Sequence, residues 1–205
     1  MSGSGQAMQL PQSMGPFEKI DGHAAPAAGT AVAGYPQSCT LKFDIKSQDD
    51  TNWCWAAVAA SIAAYYAALE HDPPPDEQCQ IASLFTGKPC CPPKSNPDGN
   101  VDRPLVLPLS KYGYLQGDAA IENSIPFADV QKDLCDGRPV CGRLDTAVGH
   151  FIVITGYDLD GGEPHIVVAD PSGKLHGAYL LSTFEKTAGA PWNETCRTKK
   201  SRDPA

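Results

Sequence analysis

The stretch QDDTNWCWAA, residues 48–57, sets the expectation for the fold. It begins with Gln48, passes through a turn-forming cluster at residues 49–52, and enters a long alanine-rich run that is apolar nearly all round. Asp, Thr and Asn at such a junction favour a turn and a helix N-terminal cap, and alanine favours helix. The pattern predicts a helix from about Trp53 to Glu70. A helix without a polar face normally lies at the centre of a domain.

The segments on either side of this helix predict two regions of different character. Leu41, Phe43 and Ile45 alternate with charged residues, which indicates a short half-buried strand over residues 41–46. Further helices are predicted at residues 76–85, 105–113 and 127–136, a Pro- and Cys-rich loop at 88–104, and strands at 139–144, 151–157, 165–169 and 178–181. Helices first and strands second predict an α+β fold whose two lobes meet at a cleft.

Composition and charge narrow the function classes. The chain has 205 residues, 41% of them hydrophobic and 20% charged, which suits one sizeable globular core. A net charge of −8 argues against nucleic acid or an anionic membrane surface as the partner. The longest apolar run, residues 56–69, is too short to span a bilayer. The opening MSGSGQAMQL has neither the basic start nor the apolar stretch of a secretory signal.

Composition also divides the chain into three parts. Residues 1–37 are rich in Gly, Ala, Pro, Ser and Gln, which predicts a flexible leader, a pro-segment or a tag. Residues 38–196 carry the hydrophobic patterning and are expected to form the folded domain. Residues 197–205 are expected to be a solvated basic tail.

Eight cysteines are more than a reduced intracellular enzyme of this size usually carries. Cys90 and Cys91 cannot bond each other without strain, whereas Cys135 and Cys141 flank a turn and are candidates for a local bridge. If Cys54 is a free nucleophile, seven remain, so at least one more stays unpaired or pairs between chains. A structural zinc site is the competing interpretation. However, no C-x-x-C pair occurs and the histidines lack ligand spacing, so no metal or cofactor is expected.

Four residues predict a nucleophilic site. A helix N-terminus or a neighbouring imidazolium favours the thiolate form of a cysteine, which makes Cys54 a candidate nucleophile. His150 heads the strand FIVIT and suits a general acid and base. Asp170 ends the strand IVVA, where it can accept a hydrogen bond from His150 if the two strands are antiparallel neighbours. Gln48 can donate a hydrogen bond to an oxyanion. Each residue alone also has an ordinary structural interpretation.

In order and spacing, these residues resemble the papain-like cysteine peptidases. Gln48 stands six residues before Cys54, and a tryptophan follows the cysteine directly. His150 is followed, after the five residues FIVIT, by Gly-Tyr, and Asp170 occupies the place of the third catalytic residue. The resemblance covers about residues 40–185 and is strongest for the compact bacterial papain-like peptidases found among secreted effectors.

The resemblance implies an α+β, papain-like, two-lobed fold. The central helix of an N-terminal helical lobe would carry Cys54, and a C-terminal antiparallel β lobe would carry His150 and Asp170. It further implies that Cys54 attacks a peptide carbonyl while Gln48 stabilises the oxyanion. The expected partners are a protein or peptide substrate and an inhibitor or immunity protein, and the expected form is a monomer. The expected location is outside a bacterial cell, reached by secretion or delivery as a toxin-like effector.

Two other functions stay open at this point. The same catalytic set can act on a non-standard amide, as in an amidase, transpeptidase or deconjugase working on cell-wall peptide or an isopeptide. An effector can also act by binding a partner without turnover. Residues 49–53 replace the Gly-Ser-Cys pattern of papain, and Pro171-Ser-Gly replaces Ser-Trp after the third catalytic residue. These departures leave the substrate pockets and the activation route undefined.

Overall fold

The structure is a computed structural model that describes residues 34–73, 76–92, 97–159, 162–184 and 190–200. Its helices are α1 (Cys54–Glu70), α2 (Gln78–Thr86), α3 (Val106–Lys111), α4 (Phe127–Cys135) and α5 (Leu181–Phe184). Its strands are β1 (Ser38–Thr40), β2 (Ile121–Glu122), β3 (Val140–Leu144), β4 (His150–Asp158), β5 (His165–Ala169), β6 (His176–Leu180) and β7 (Trp192–Arg197). No helix in these ranges has the length and apolar character that crossing a membrane requires.

The described strands join one antiparallel sheet in the order β2-β7-β3-β4-β5-β6. Strand β4 lies at its centre. The first half of β4 pairs with β3, and its second half pairs with β1 on that side and with β5 on the other. The predicted α+β class is confirmed, and so is the antiparallel pairing of the strands predicted at 151–157 and 165–169.

Alternate residues of β4 face two separate cores, because successive side chains of a strand point to opposite faces of the sheet. Phe151 and Val153 face a core that includes α1, α2 and α3. Ile152 and Ile154 face a second core that includes α4 and α5. Helix α1 is buried along most of its length, so the prediction of a central helix is confirmed.

The ends of α1 lie within one residue of their predicted positions. Trp53 occupies the N-cap position and makes no side-chain hydrogen bond to the helix end. The expected cap from residues 49–52 is wrong, because Asp50 instead accepts a hydrogen bond from the Thr51 amide at 2.7 Å and closes a local turn. At the other end His71 adopts a left-handed conformation, with φ 57°, and stops the helix.

The strand predicted at residues 41–46 is wrong. This segment has no regular secondary structure, and Leu41 makes its amide hydrogen bond to the Thr155 carbonyl at 2.8 Å before the chain leaves the sheet. Phe43 and Ile45 still pack against the α1 core, so the alternation predicted burial correctly. The segment crosses from the sheet to α1, and none of the strands that the structure describes pairs with it.

Gly156 and Tyr157 attach the N-terminal strand to the sheet. A Cβ atom at Gly156 would lie 2.7 Å from Thr40 Oγ1 and 2.9 Å from the Cys39 carbonyl oxygen, so the close approach of β1 requires glycine. The Tyr157 hydroxyl, which lies in the second core, donates a hydrogen bond to the Pro36 carbonyl at 2.7 Å. This pair therefore anchors the chain just before the segment that leads to Gln48.

The C-terminal boundary of the fold extends past Cys196. Arg197 is the last residue of β7, and Thr198 is fully buried. The Thr198 hydroxyl donates to the Pro139 carbonyl at 2.6 Å and is 2.7 Å from the Tyr66 hydroxyl. These two residues of the expected tail thus belong to the folded sheet. Residues 1–33 and 201–205 lie outside the described residues.

The cysteines are arranged differently from the local bridge predicted at residues 135 and 141. Cys79 and Cys91 form a disulfide with an S–S distance of 2.06 Å, whereas Cys90 stays a buried thiol. The expectation that neighbouring Cys90 and Cys91 do not bond each other is confirmed. A bridge between Cys135 and Cys141 is wrong, because Cys141 faces the α1 core while the other residue packs on the opposite core.

A buried ion-pair network joins α4 to the end of β7. The Asp133 carboxylate is fully buried and accepts hydrogen bonds from the guanidinium groups of Arg138 and Arg197, at 2.7 Å and 2.5 Å for the closest atoms. Removing one partner of a buried charge network leaves the remaining charges uncompensated, which costs about 3–5 kcal/mol.

We predict that Asp133→Ala lowers the free energy of unfolding by about 3–5 kcal/mol in a urea titration, because both arginines lose their buried carboxylate. Asp136→Ala is the matched control. Asp136 also pairs with Arg138 but its side chain is 38% exposed, so we expect a loss of about 1 kcal/mol or less. Equal losses in the two variants would contradict this account of the network.

Candidate active site

Three of the four predicted site residues stand at the ends of elements that the sheet and α1 bring together. Cys54 is the first residue of α1 and His150 is the first residue of β4. Asp170 directly follows β5, and β5 runs antiparallel to β4 with Ala169 opposite Val153. The end of β5 therefore lies beside the start of β4. All three side chains belong to buried residues.

The imidazole of His150 connects the other two side chains. Its Nε2 atom lies 2.6 Å from Asp170 Oδ1, and the Cys54 thiol is close enough to the ring to raise the pKa of His150. Because Nε2 is committed to the aspartate, Nδ1 is the ring nitrogen that faces the sulfur. The imidazole therefore lies between the thiol and the carboxylate and is hydrogen-bonded to the carboxylate.

The turn that follows β5 holds the Asp170 carboxylate in place. The amide and hydroxyl of Ser172 donate to its two oxygens at 2.7 and 2.8 Å, and the amides of Lys174 and Leu175 donate to Oδ2 at 3.2 and 3.0 Å. The Gly173 amide bonds to the Asp170 carbonyl at 3.0 Å, so the sequence DPSG is a turn as well. The backbone of Asp170 therefore begins the turn while its carboxylate bonds to His150.

Burial and hydrogen bonding shift the pKa values of His150 and Asp170 in opposite directions. Burial lowers the pKa of His150, but its hydrogen bonds with Asp170 and Cys54 outweigh burial and raise it to about 9. Burial raises the pKa of Asp170, but the hydrogen bonds from His150 and Ser172 and the imidazolium charge lower it to about 2. Between these values the pair is an imidazolium and a carboxylate.

These shifts define the pH range in which the pair stabilises the fold. The pKa of His150 is raised above 6.5, so its contribution is complete below about pH 6.5 and is lost as the pH rises through about 9. The pKa of Asp170 is lowered from 3.8, so its contribution is complete above about pH 3.8 and is lost as the pH falls through about 2. Both contributions are complete between about pH 4 and 6.5.

Gln48 lies at the edge of this site, but its side-chain amide is used locally. Its backbone amide donates to the Pro171 carbonyl at 2.9 Å, which places it next to the turn that holds Asp170. Its Nε2 donates to the carbonyls of Asp50 and Thr51, each at 2.9 Å, and its Oε1 is buried with no partner among the described residues. A hydrogen bond to an oxyanion requires at least one of these local bonds to break or be shared.

The loop before α3 supports the start of α1, a role that sequence reasoning missed. The indole N–H groups of Trp53 and Trp55 donate to the carbonyls of Gly99 and Val101, at 2.9 and 3.0 Å. The amide and side chain of Asn52 add two more hydrogen bonds to this loop. The sequence contains one clue, since buried indole groups require acceptors.

Arg143 is a second neighbour of the site that sequence reasoning missed. Gly149, which precedes His150, has φ 74°, and a Cβ atom there would overlap the Arg143 guanidinium. That guanidinium lies 3.6 Å from Asp102 Oδ2 and 5.7 Å from the centre of the Phe151 ring. The charged Arg143 side chain, paired with Asp102, therefore lies beside the start of the strand that carries His150. No group of three or more His, Cys, Asp or Glu side chains in the described parts of the chain is arranged to hold a metal ion.

Comparisons with known proteins identify relatives of this fold. The model of the Peptidase_C39-like family matches residues 40–199. Among solved structures, that of digestive procathepsin L 3 from the larval midgut of Tenebrio molitor has a TM-score of 0.50 at 10% sequence identity. The match covers 84% of this chain and 73% of the procathepsin chain. It confirms the predicted papain-like fold. No curated protein sequence gave a significant match.

We predict that Asp170→Asn lowers the pKa of His150 from about 9, because the variant removes the carboxylate charge and leaves only a neutral amide oxygen as acceptor for Nε2. The imidazole signals in an NMR pH titration measure this directly. Asp118→Asn, at an exposed position, is the control and should leave the titration unchanged. A wild-type His150 that titrates near 6.5, or a variant with an unshifted pKa, is the contrary result.

Proposed function

The chain belongs to the Peptidase_C39-like family of cysteine peptidases, and we propose that Cys54, His150 and Asp170 are the triad with which it hydrolyses a peptide bond. The observation that supports this proposal most directly is the position of the His150 imidazole, which is hydrogen-bonded to the Asp170 carboxylate and lies close enough to the Cys54 thiol for that thiol to raise its pKa. A nucleophile, a base and a group that orients the base are the three parts that such catalysis needs.

In the proposed reaction, the imidazolium of His150 already holds the thiol proton at Nδ1, and the Cys54 sulfur attacks the peptide carbonyl as a thiolate. The imidazolium then gives that proton to the leaving amine as the thioester forms. A water molecule, activated by the same imidazole, hydrolyses the thioester and restores the thiol. The bond from Asp170 to Nε2 keeps the ring in the orientation and tautomer that both steps use.

The position of Cys54 at the start of α1 supports this assignment. The first amides of a helix have no intrahelical acceptor, so the amide of Cys54 can donate to an oxyanion formed at its own sulfur. The positive end of the helix dipole favours negative charge on both the sulfur and the oxyanion. Cys54 belongs to the apolar core around α1 and is only 3% exposed, and such low-dielectric surroundings strengthen both effects.

Gln48 is the proposed side-chain donor to the same oxyanion. It stands next to Pro171 and within the turn that leads into α1, so it lies at the correct end of the helix. Its amide now bonds the carbonyls of Asp50 and Thr51. We propose that the arrival of a carbonyl oxygen draws one of these N–H groups away from the turn.

We predict that Cys54→Ala abolishes hydrolysis of a broad peptide library, because it removes the thiol that neighbours His150. The matched control is Cys90→Ala, since Cys90 is also a free, buried thiol but lies away from the triad. It should keep wild-type activity. In the wild type, an epoxide or iodoacetamide probe should label Cys54 under reducing conditions. A wild type that neither labels at Cys54 nor cleaves any peptide would rule out the proposal.

We predict that Gln48→Ala lowers kcat by roughly 10²–10³-fold, the usual cost of losing one oxyanion donor. The rate of Cys54 alkylation by iodoacetamide should change little, because alkylation forms no oxyanion. Gln80→Ala, on the exposed side of α2, is the control and should change neither rate. If kcat and the alkylation rate fall together, Gln48 acts only by shaping the turn, and the oxyanion role is wrong.

A further inference from the structure

Four thiols outside the proposed active site stand in two close pairs. All eight cysteines lie within the described residues, and they comprise one disulfide and six free thiols. Cys54 belongs to the triad and Cys90 stands apart. The remaining four are Cys39, Cys135, Cys141 and Cys196, and each of them has another of the four as its neighbour.

The first pair joins the N-terminal strand to α4. The thiols of Cys39 and Cys135 are neighbours, and the Cys135 thiol contributes to the raised pKa of Cys39. Cys39 Sγ also donates to the carbonyl of Leu134, the residue before Cys135, at 3.4 Å. Cys135 Sγ lies 3.3 Å from the hydroxyl of Tyr157, and Tyr157 is the residue directly opposite Cys39 in the sheet. The Cys39 thiol on β1 and the Cys135 thiol on the last residue of α4 therefore lie side by side.

The second pair spans the centre of the sheet. Cys141 on β3 and Cys196 on β7 are directly opposite each other in the antiparallel register, and both are only 1% exposed. Directly opposite residues of an antiparallel pair point to the same face, and their Cα atoms lie roughly 4.5–5.5 Å apart. That separation falls within the range of roughly 4.4–6.8 Å that a disulfide spans.

Cys90 is the one thiol outside the triad without such a neighbour. Its Sγ donates to the Lys88 carbonyl at 3.3 Å and lies 3.6 Å from Thr86 Oγ1. The adjacent Cys91 is bonded to Cys79. The sequence alone required at least one cysteine besides the nucleophile to stay unpaired or to pair between chains, and Cys90 is the thiol that fits this requirement.

We propose that Cys39–Cys135 and Cys141–Cys196 are two further disulfide sites, so that the oxidised protein holds three disulfides and leaves Cys54 and Cys90 as thiols. In each pair two S–H bonds break and one S–S bond forms. The two electrons and two protons pass to a small-molecule disulfide such as oxidised glutathione, which leaves as two thiols. The first site ties β1, and with it the segment that leads to Gln48, to α4.

The burial of these thiols determines when the bonds form. Burial, together with the neighbouring thiol, raises the pKa of Cys39 to about 11, and burial raises the pKa of Cys196 to about 12. The thiolate is the reactive form, so it is scarce at neutral pH once the chain has folded. We therefore expect the bonds to close while the chain folds in an oxidising environment, before β3, β7 and α4 are fully packed.

The test is to unfold and reduce the full chain and refold it either in a glutathione redox buffer or with excess reductant. Denaturing alkylation then counts the thiols, and mass spectrometry maps the linked peptides. We expect two labelled thiols after oxidative refolding, at Cys54 and Cys90, with linked peptides that join 39 to 135 and 141 to 196. An oxidised protein that keeps four or more thiols, or that joins Cys135 to Cys141, overturns the proposal.

Variants supply a second measurement on the oxidised protein. Cys39→Ser and Cys135→Ser should each lower the melting temperature by roughly 5–10 °C, and the double variant should melt no lower, because one bond is lost in every case. Cys90→Ser is the control and should keep all the linked peptides. Additive losses in the double variant argue against a shared bond. None of these measurements uses peptide cleavage, so their outcome is independent of the proposed function.

Discussion

The antiparallel pairing of β4 with β5 is the constraint on which the site depends. His150 is the first residue of β4 and Asp170 directly follows β5, so only this pairing and register bring the imidazole to 2.6 Å from the carboxylate. The third side chain, Cys54, reaches the same place because α1 packs with its N-terminal end over the start of β4. A shift of one residue in the register would turn the strand's core residues toward the wrong face.

Two glycines of this region, Gly149 and Gly156, are needed for the backbone path that brings the site residues together. Gly149 takes a left-handed conformation beside the Arg143 guanidinium, so the chain can turn directly into His150. Gly156 allows β1 to approach the second half of β4 closely, and Tyr157 fixes the chain that precedes it. The spacing of His150 from this Gly-Tyr pair thus has a physical reason. The same strand begins with the proposed base and ends at the anchor of the N-terminal segment.

The sequence predicted the parts of the fold that depend on local pattern. The succession of predicted helices and then strands was sufficient for the α+β class. The order and spacing of Gln48, Cys54, His150 and Asp170 were sufficient for the papain-like fold and a cysteine peptidase. The strand predicted at 41–46 was wrong because alternating apolar and charged residues show only that one side of a segment is buried. An extended connection between two layers has the same alternation as a strand. The two bonds that Gln48 donates within its turn depend on a side-chain conformation that spacing does not specify. The opposition of Cys141 and Cys196 depends on β7, a strand that the sequence pattern did not predict.

The central claim is that Cys54 forms a covalent acyl intermediate under the control of His150 and Asp170. The most direct measurement is the intact mass of the protein, quenched in acid during turnover of a peptide ester, followed by peptide mapping. The account predicts a mass increase equal to the acyl part of the substrate, located on the peptide that contains Cys54 and absent from Cys54→Ala. Cleavage of the ester without any adduct on Cys54, or with the adduct on another residue, would contradict it.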